Sequence, residues 1–262
     1  MPFDGLIDTH CHLDAAEFGG NLTPVLERAR AAGVTGFVVP AIEVANFDAV
    51  AALSAAHPDV RHAYGIHPLF VPRAQESDLE VLEQRLSDGS AIAVGEIGLD
   101  HYVTDVDPDL QRRFFVAQLK LARRFGLPVI LHVRRAVDAI LRELRRIDVP
   151  GGIAHAFNGS RQQADILVAM GFKLGFGGSA TFSGSTRIRT LAAELPEEAL
   201  VLETDSPDIR PEWAQDCPNE PGNLPRIASV IAELRGTDLE GLARRTSQNT
   251  RSVFPALSDA AG

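Results

Sequence analysis

The chain has 262 residues, 45% of them hydrophobic and 23% charged, with a net charge of −10 at pH 7. This length is ordinary for one α/β barrel, and the apolar content is enough for a substantial core. The acidic balance argues against a protein that coats polyanions, but an enzyme with a locally positive site could still cut one. No run approaches the roughly 20 apolar residues of a membrane span, so no membrane partner is expected. Residues 1–4 lack the basic start of a signal peptide, and two cysteines at 11 and 217 make no disulfide framework. A reducing cytoplasm is the expected location, and nothing calls for an obligatory protein partner.

In chain order the same alternation recurs: a short apolar run, a loop, then a helical pattern. Strands are predicted at 5–9, 36–40, 60–64, 91–96, 128–132, 152–155, 172–176 and 199–204. Helices are predicted at 22–32, 46–57, 78–87, 109–125, 137–147, 161–170, 186–195 and 224–235. The pattern at 109–125 is the clearest, with Leu110, Phe114, Ala117, Leu121 and Phe125 on one helical face. Asp107 can cap its start, Pro108 suits the first turn, and Gly126-Leu127-Pro128 stops it. A last helix at about 238–254 ends at Pro255, and 258–262 are expected to fray. Runs such as Phe37-Val38-Val39 and Val129-Ile130-Leu131 are apolar throughout, as in parallel strands covered by helices.

Metal-capable residues sit at the ends of these runs. In Leu6-Ile7-Asp8-Thr9-His10-Cys11-His12, residues i and i+2 of a strand face the same side, so His10 and His12 can grip one cation together. Glu96, His132, His155 and Asp205 each follow another short hydrophobic stretch. The six come from the first, fourth, fifth, sixth and eighth predicted strands. An open doubly wound sheet also alternates strands and helices, but its outer strands would hold these residues too far apart; in a barrel every strand end surrounds one mouth. The predicted fold is therefore α/β, a (β/α)8 TIM barrel of the metallo-dependent hydrolase type, as one domain over 1–262. Four histidines and two carboxylates suit two borderline divalent ions with a carboxylate between them. Nucleases and phosphatases use such pairs to activate water and to hold attacking and leaving oxygens. The ligand types favour Zn, Mn or Co, with Mg as a further candidate.

Six segments carry a resemblance to a known family. They are Asp8-Thr9-His10-Cys11-His12-Leu13-Asp14, Gly65-Ile66-His67-Pro68, Gly95-Glu96-Ile97-Gly98-Leu99-Asp100, Leu127-Pro128-Val129-Ile130-Leu131-His132-Val133-Arg134, His155-Ala156-Phe157-Asn158-Gly159-Ser160 and Glu203-Thr204-Asp205-Ser206-Pro207. In this order and at these separations, across almost the whole chain, the sequence resembles the TatD-type metal-dependent deoxyribonucleases of the amidohydrolase superfamily. The resemblance implies that His10, His12 and Asp205 hold one metal, that His132 and His155 hold the second, and that Glu96 bridges. It also implies hydrolysis of DNA phosphodiesters, in a 3′–5′ exonuclease mode on single strands or 3′ ends. A same-fold alternative is hydrolysis of another ester, such as D-aminoacyl-tRNA. Two departures stand out. Ala156 replaces a cysteine common in relatives, which bears on packing, and Cys217-Pro218-Asn219-Glu220-Pro221 replaces an Arg-Asn-Glu-Pro run. Loss of that arginine bears on a phosphate contact and on substrate preference, not on the metal site.

Other amidohydrolases bridge their metals with a carboxylated lysine. The only lysines here are Lys120, within a predicted helix, and Lys173, near the start of the seventh strand, so Glu96 is the available bridge. Asp205 is expected to take a proton during catalysis, because a carboxylate beside the first metal can reach its water. Arg134, two residues past His132, should stand at the mouth as a phosphate clamp or pair with Asp100. His67 is expected near the site, contacting substrate or steadying a neighbour. Phe70, Phe157, Phe176 and Phe182 follow strands at the mouth and are candidates for base stacking or loop packing. Cys11 should point outward into packing.

Overall fold

Residues 5–257 are described in a computed structural model; the expectations for 1–4 and for fraying at 258–262 lie outside the described residues. Eight short strands form the wall: β1 (Leu6–Asp8), β2 (Val34–Pro40), β3 (Val60–Ala63), β4 (Val94–Asp100), β5 (Val129–Arg134), β6 (Gly152–Ala154), β7 (Phe172–Phe176) and β8 (Leu200–Leu202). They alternate with α1 (Thr23–Ala31), α2 (Phe47–Ala56), α3 (Glu76–Ser87), α4 (Pro108–Phe125), α5 (Val137–Leu144), α6 (Arg161–Ala169), α7 (Thr186–Glu194) and α8 (Leu224–Arg235), and α9 (Leu239–Val253) follows. Every strand pair is parallel. The expected TIM barrel is the architecture.

The strand ladder is not continuous around the ring. It runs in two arcs, β1-β2-β3 and β4-β5-β6-β7-β8, which meet at two seams. Single bridges cross them, Tyr64 to Val94 and Cys11 to Ser206. The Gly95 N–H donates to the Tyr64 carbonyl at 2.9 Å, and the Thr9 N–H donates to the Leu202 carbonyl at 3.0 Å. Irregular pairing re-aims side chains. The seams lie where Glu96 enters on one side and where His10 and Asp205 enter on the other.

Alternation along the strands divides the core in two. Ile7, Val38, Ala63, Ala93, Ile130, Ile153 and Val201 fill the barrel interior together with Phe254 and Leu257. Their strand neighbours, such as Val39, Leu131, Ala154 and Leu202, pack outward with the helices, and Cys11 packs with them as expected. Among the described residues no helix is long and apolar enough to cross a membrane.

Several bounds shift by one to three residues, and two elements differ in ways that bear on the site. The fourth strand is β4, Val94–Asp100, rather than 91–96. Ala91-Ile92-Ala93 is as apolar as the strand itself and is buried, but it lies outside the regular ladder, with the Ile92 N–H donating to the His62 carbonyl at 3.0 Å. Glu96 therefore sits inside the strand, and Asp100 ends it. On α4 the expected cap, first-turn proline and glycine stop are all present, and the Asp107 side chain accepts from the Asp109 N–H. Its buried face, however, includes Gln111, Phe115, Gln118 and Ala122, and is rotated from the predicted stripe. The two glutamines are two turns apart, and each clamps a backbone near the barrel mouth. Gln111 accepts from the Asp100 N–H at 2.8 Å and donates to its carbonyl at 3.0 Å. Gln118 accepts from the Ile66 N–H at 2.7 Å and donates to its carbonyl at 3.0 Å.

Candidate metal centre

The six sequence-predicted ligands converge: Glu96 lies within β4 and His132 within β5, while His10, His12, His155 and Asp205 lie just past the C-terminal ends of β1, β6 and β8. His12, Glu96, His132, His155 and Asp205 line the floor of a cleft of about 1740 Å³, and His10 lies fully buried behind them. Backbone links fix the β1 side: the Asp205 N–H donates to the His10 carbonyl, and the His12 N–H to the Ser206 carbonyl, both at 2.8 Å. Asp205 holds a left-handed backbone, with φ of 53°, which aims its side chain back into the cleft.

Glu96 is the geometric centre. Its Oε2 lies 3.1 Å from Nε2 of His10 and 3.6 Å from Nε2 of His12. Its Oε1 lies 2.9 Å from Nδ1 of His132 and 3.0 Å from Nε2 of His155. Asp205 Oδ1 stands 3.5 and 3.6 Å from the same atoms of His10 and His12. One carboxylate oxygen thus faces each group of imidazoles.

The ring nitrogens also face one another. His10 and His12 are 3.3 Å apart at Nε2, and His155 Nε2 is 3.5 Å from His132 Nδ1. Neutral imidazoles cannot all donate into so small a space, and lone pairs turned inward suit a cation. Three overlapping groups have ligand atoms close enough to hold a metal ion: His10, His12 and Glu96; His10, His155 and Asp205; and His67, Glu96 and His132. Imidazole and carboxylate together fit a borderline divalent ion.

His67 comes closer than the sequence indicated, with Nε2 at 3.5 Å from Glu96 Oε1. The Leu69 N–H donates to its Nδ1 at 3.1 Å, so in the neutral ring the hydrogen lies on Nε2 and points at the cluster. The clamp from Gln118 holds the loop just before it.

Acidic residues stand behind the ring, among them Asp100, which the sequence offered as a partner for Arg134. Asp100 Oδ2 stands 3.0 Å from Nε2 of His132. Glu203 Oε1 accepts from the Ala156 N–H at 2.6 Å and lies 3.6 Å from Nδ1 of His155. A Cβ on Gly175 would run into the Glu203 carboxylate, so only glycine leaves room for it. Asp8, fully buried, accepts from the Thr204 hydroxyl at 2.6 Å and its N–H at 2.9 Å, tying β1 to the segment that carries Asp205.

Charge follows this packing. Burial pushes Asp205 up to about 7 and Asp8 up to about 8. Burial also works to raise Glu96, but the surrounding histidines, His10 first, outweigh it and hold Glu96 well below the usual carboxylate range. His10 is held well below the ordinary imidazole value, first by burial. His132 and His155 are raised although burial opposes it, because carboxylates face both rings.

At the rim, Arg134 stands half-exposed, 3.9 Å from Asp100, and lines the cleft with Arg135 and Arg187. Of the four phenylalanines, Phe157 and Phe176 are buried in the core and cannot stack on a ligand. Phe70 lines the cleft, and Arg73 lies over it at 4.5 Å. Lys173 pairs with Ile153 low in the barrel wall, away from the mouth.

The chain matches the family model described as TatD related DNase over residues 7–255. It is 41% identical to the uncharacterized metal-dependent hydrolase YjjV of Escherichia coli strain K12, across 95% of this chain and 97% of that protein. The crystal structure of that TatD homolog superposes with a TM-score of 0.92 at 40% identity, covering 95% of this chain and 98% of the other. A protein of Edwardsiella piscicida named 3'-5' ssDNA/RNA exonuclease TatD is 34% identical over 95% of this chain and 99% of its own. The chain belongs to the TatD-related DNase family of metal-dependent hydrolases.

Proposed function

We propose that the chain is a 3′–5′ exonuclease acting on single-stranded DNA or on 3′ ends, with two divalent ions held at the cleft floor. One observation carries the reading: Glu96 turns Oε2 to His10 and His12 and Oε1 to His132 and His155. In this reading His10, His12 and Asp205 hold one ion, His132 and His155 hold the other, and Glu96 serves both. Zn, Mn, Co or Mg, once bound, would withdraw charge from the phosphate oxygens and acidify the attacking water.

The remaining steps belong to side chains. Asp205 takes the proton of the attacking water; its position beside His10 and His12 suits that task. The His67 Nε2–H is directed at the space beside Glu96, where it can donate to a phosphate oxygen. Arg134 at the rim binds substrate phosphate. The name carried by the Edwardsiella piscicida relative supports nucleic acid as the substrate class.

The reading is tested with 5′-labelled single-stranded DNA, the matching RNA and D-aminoacyl-tRNA, each supplied with Mg, Mn, Co or Zn. Stepwise shortening of DNA from the 3′ end is expected. Cleavage of the aminoacyl ester alone would replace this reading with a deacylase.

A further inference from the structure

We propose that Tyr102, Arg134 and Arg135 form a separate phosphate subsite, one that grips the phosphodiester next to the one being cut. The inference rests on the nuclease reading above. Tyr102 is the one large hydrophobic side chain left exposed among the described residues, at 47%. Two guanidinium groups lie against its ring, that of Arg134 at 3.9 Å from the centroid and that of Arg135 at 4.6 Å. All three residues line the cleft beside His132.

The local backbone builds this group. Arg134 is the last residue of β5, and the His101 N–H donates to its carbonyl at 2.9 Å, which locks the ends of β4 and β5 together. Asp100 Oδ1 accepts from the Tyr102 and Val103 N–H groups at 2.8 and 3.1 Å, fixing the turn that presents the ring. Arg135 takes a left-handed backbone, with φ of 54°, unfavourable for a side chain of its size. That turn places it over the same ring as its neighbour.

The charges of the pair are little committed. Several arginines of this acidic chain pair closely with carboxylates, as Arg28 with Glu220, Arg30 with Asp59 and Arg112 with Glu143, whereas among the described residues Arg135 has no carboxylate within 4.0 Å. The one acid near Arg134 is Asp100 at 3.9 Å, and Asp100 is already engaged by His132 at 3.0 Å. A ring face holds a guanidinium flat without using its N–H groups, which stay free for two-point contact with phosphate. From Arg134 to the cluster the path runs through Asp100 and His132 to Glu96. The subsite therefore lies one side-chain layer beyond the proposed metals and suits a neighbouring phosphate, not the scissile one.

Steady-state cleavage of 5′-labelled single-stranded DNA by the Mn-loaded enzyme, measured across a range of KCl, tests the assignment. Arg135→Gln is expected to raise KM about tenfold, the scale of one charge-assisted hydrogen bond, with little change in kcat. The slope of log KM against log salt should fall by about 0.7, the share of one phosphate on a single strand. Tyr102→Ala should move both quantities the same way, and Tyr102→Phe, which keeps the ring face, should behave as wild type. A neutral methylphosphonate at the linkage beside the scissile one should raise KM for wild type but not for Arg135→Gln. If wild type cuts DNA while Arg135→Gln and Tyr102→Ala keep its KM and salt slope, the subsite is wrong and the nuclease reading stands. If Tyr102→Phe fails as fully as Tyr102→Ala, the hydroxyl is at work and the ring-clamp assignment falls. If wild type cuts no oligonucleotide at all, both readings fall together.

Discussion

Asp100 holds His132 by its Nε2, at 3.0 Å, and so turns Nδ1 of that ring toward Glu96 at 2.9 Å. Burial opposes the charge on Asp100, but hydrogen bonds with His132 and the Val103 and Tyr102 N–H groups hold it at about 2. Carboxylates that orient a metal-binding histidine this way are typically worth about 10–100-fold in metal affinity or activity. Asp100→Asn is therefore expected to weaken metal binding by about that factor, with the fold retained. Metal titration followed calorimetrically would check it, and unchanged affinity would remove Asp100 from the account.

Asp205→Asn separates proton transfer from binding. The variant should keep the cation position at His132 and His155 and its affinity for single-stranded DNA. Turnover should fall by at least about a hundredfold, the low end for a positioned general base. Metal content, DNA affinity and single-turnover rate on one preparation decide it. A rate within a few fold of wild type at unchanged metal content would send the proton by another route.

The pH dependence of activity follows from the rings. His132 and His155 have pKa values raised above the imidazole range, so each keeps its proton to higher pH than a free histidine would. Bound protons compete with cations. Activity is expected to climb from below about pH 6 into the alkaline range and to be rescued at low pH by more metal. A flat profile from pH 5 to 8 would contradict histidine ligation.

Stability has a different titrating group at the far end of the barrel. His62 is buried, with Nε2 at 3.3 Å from the Ser90 hydroxyl oxygen, and burial pushes it down to about 4. Because the folded value lies below the unfolded one, its contribution is present above about pH 6.5 and is lost as pH falls toward 4. Between pH 7.5 and 5 this amounts to about 2 kcal/mol by linkage. His62→Leu should lose that much less on acidification, as read by urea unfolding at the two pH values; parallel losses would show that His62 does not titrate this way.

The sequence made the ring legible because each candidate ligand follows a run of apolar residues, a contrast visible without coordinates. The offset of β4 was hidden because Ala91-Ile92-Ala93 is indistinguishable from strand by composition; closure of the ring, not local preference, decides which residues pair. Gln111 and Gln118 lie outside the apolar stripe expected for α4, yet they face inward because the Asp100 and Ile66 backbones need partners there. Asp100 was legible as a partner for Arg134 but not for His132, and Glu203 not at all, because the groups they steady lie 32 and 47 residues away. His67 was near the mark for the opposite reason, sitting in a conspicuous Gly-Ile-His-Pro turn.

The central claim is that Glu96 serves two cation positions at once, one with each oxygen. Titration of the protein with Mn2+, followed by electron paramagnetic resonance, tests it most directly. Two ions roughly 4 Å apart should take up two equivalents per chain and give a spin-coupled signal. In folded Glu96→Ala the coupled signal should vanish and turnover should fall by more than about a hundredfold, beyond the effect of a supporting residue. A single uncoupled equivalent in active wild type, or a folded Glu96→Ala that keeps both the coupled signal and its turnover, would contradict it.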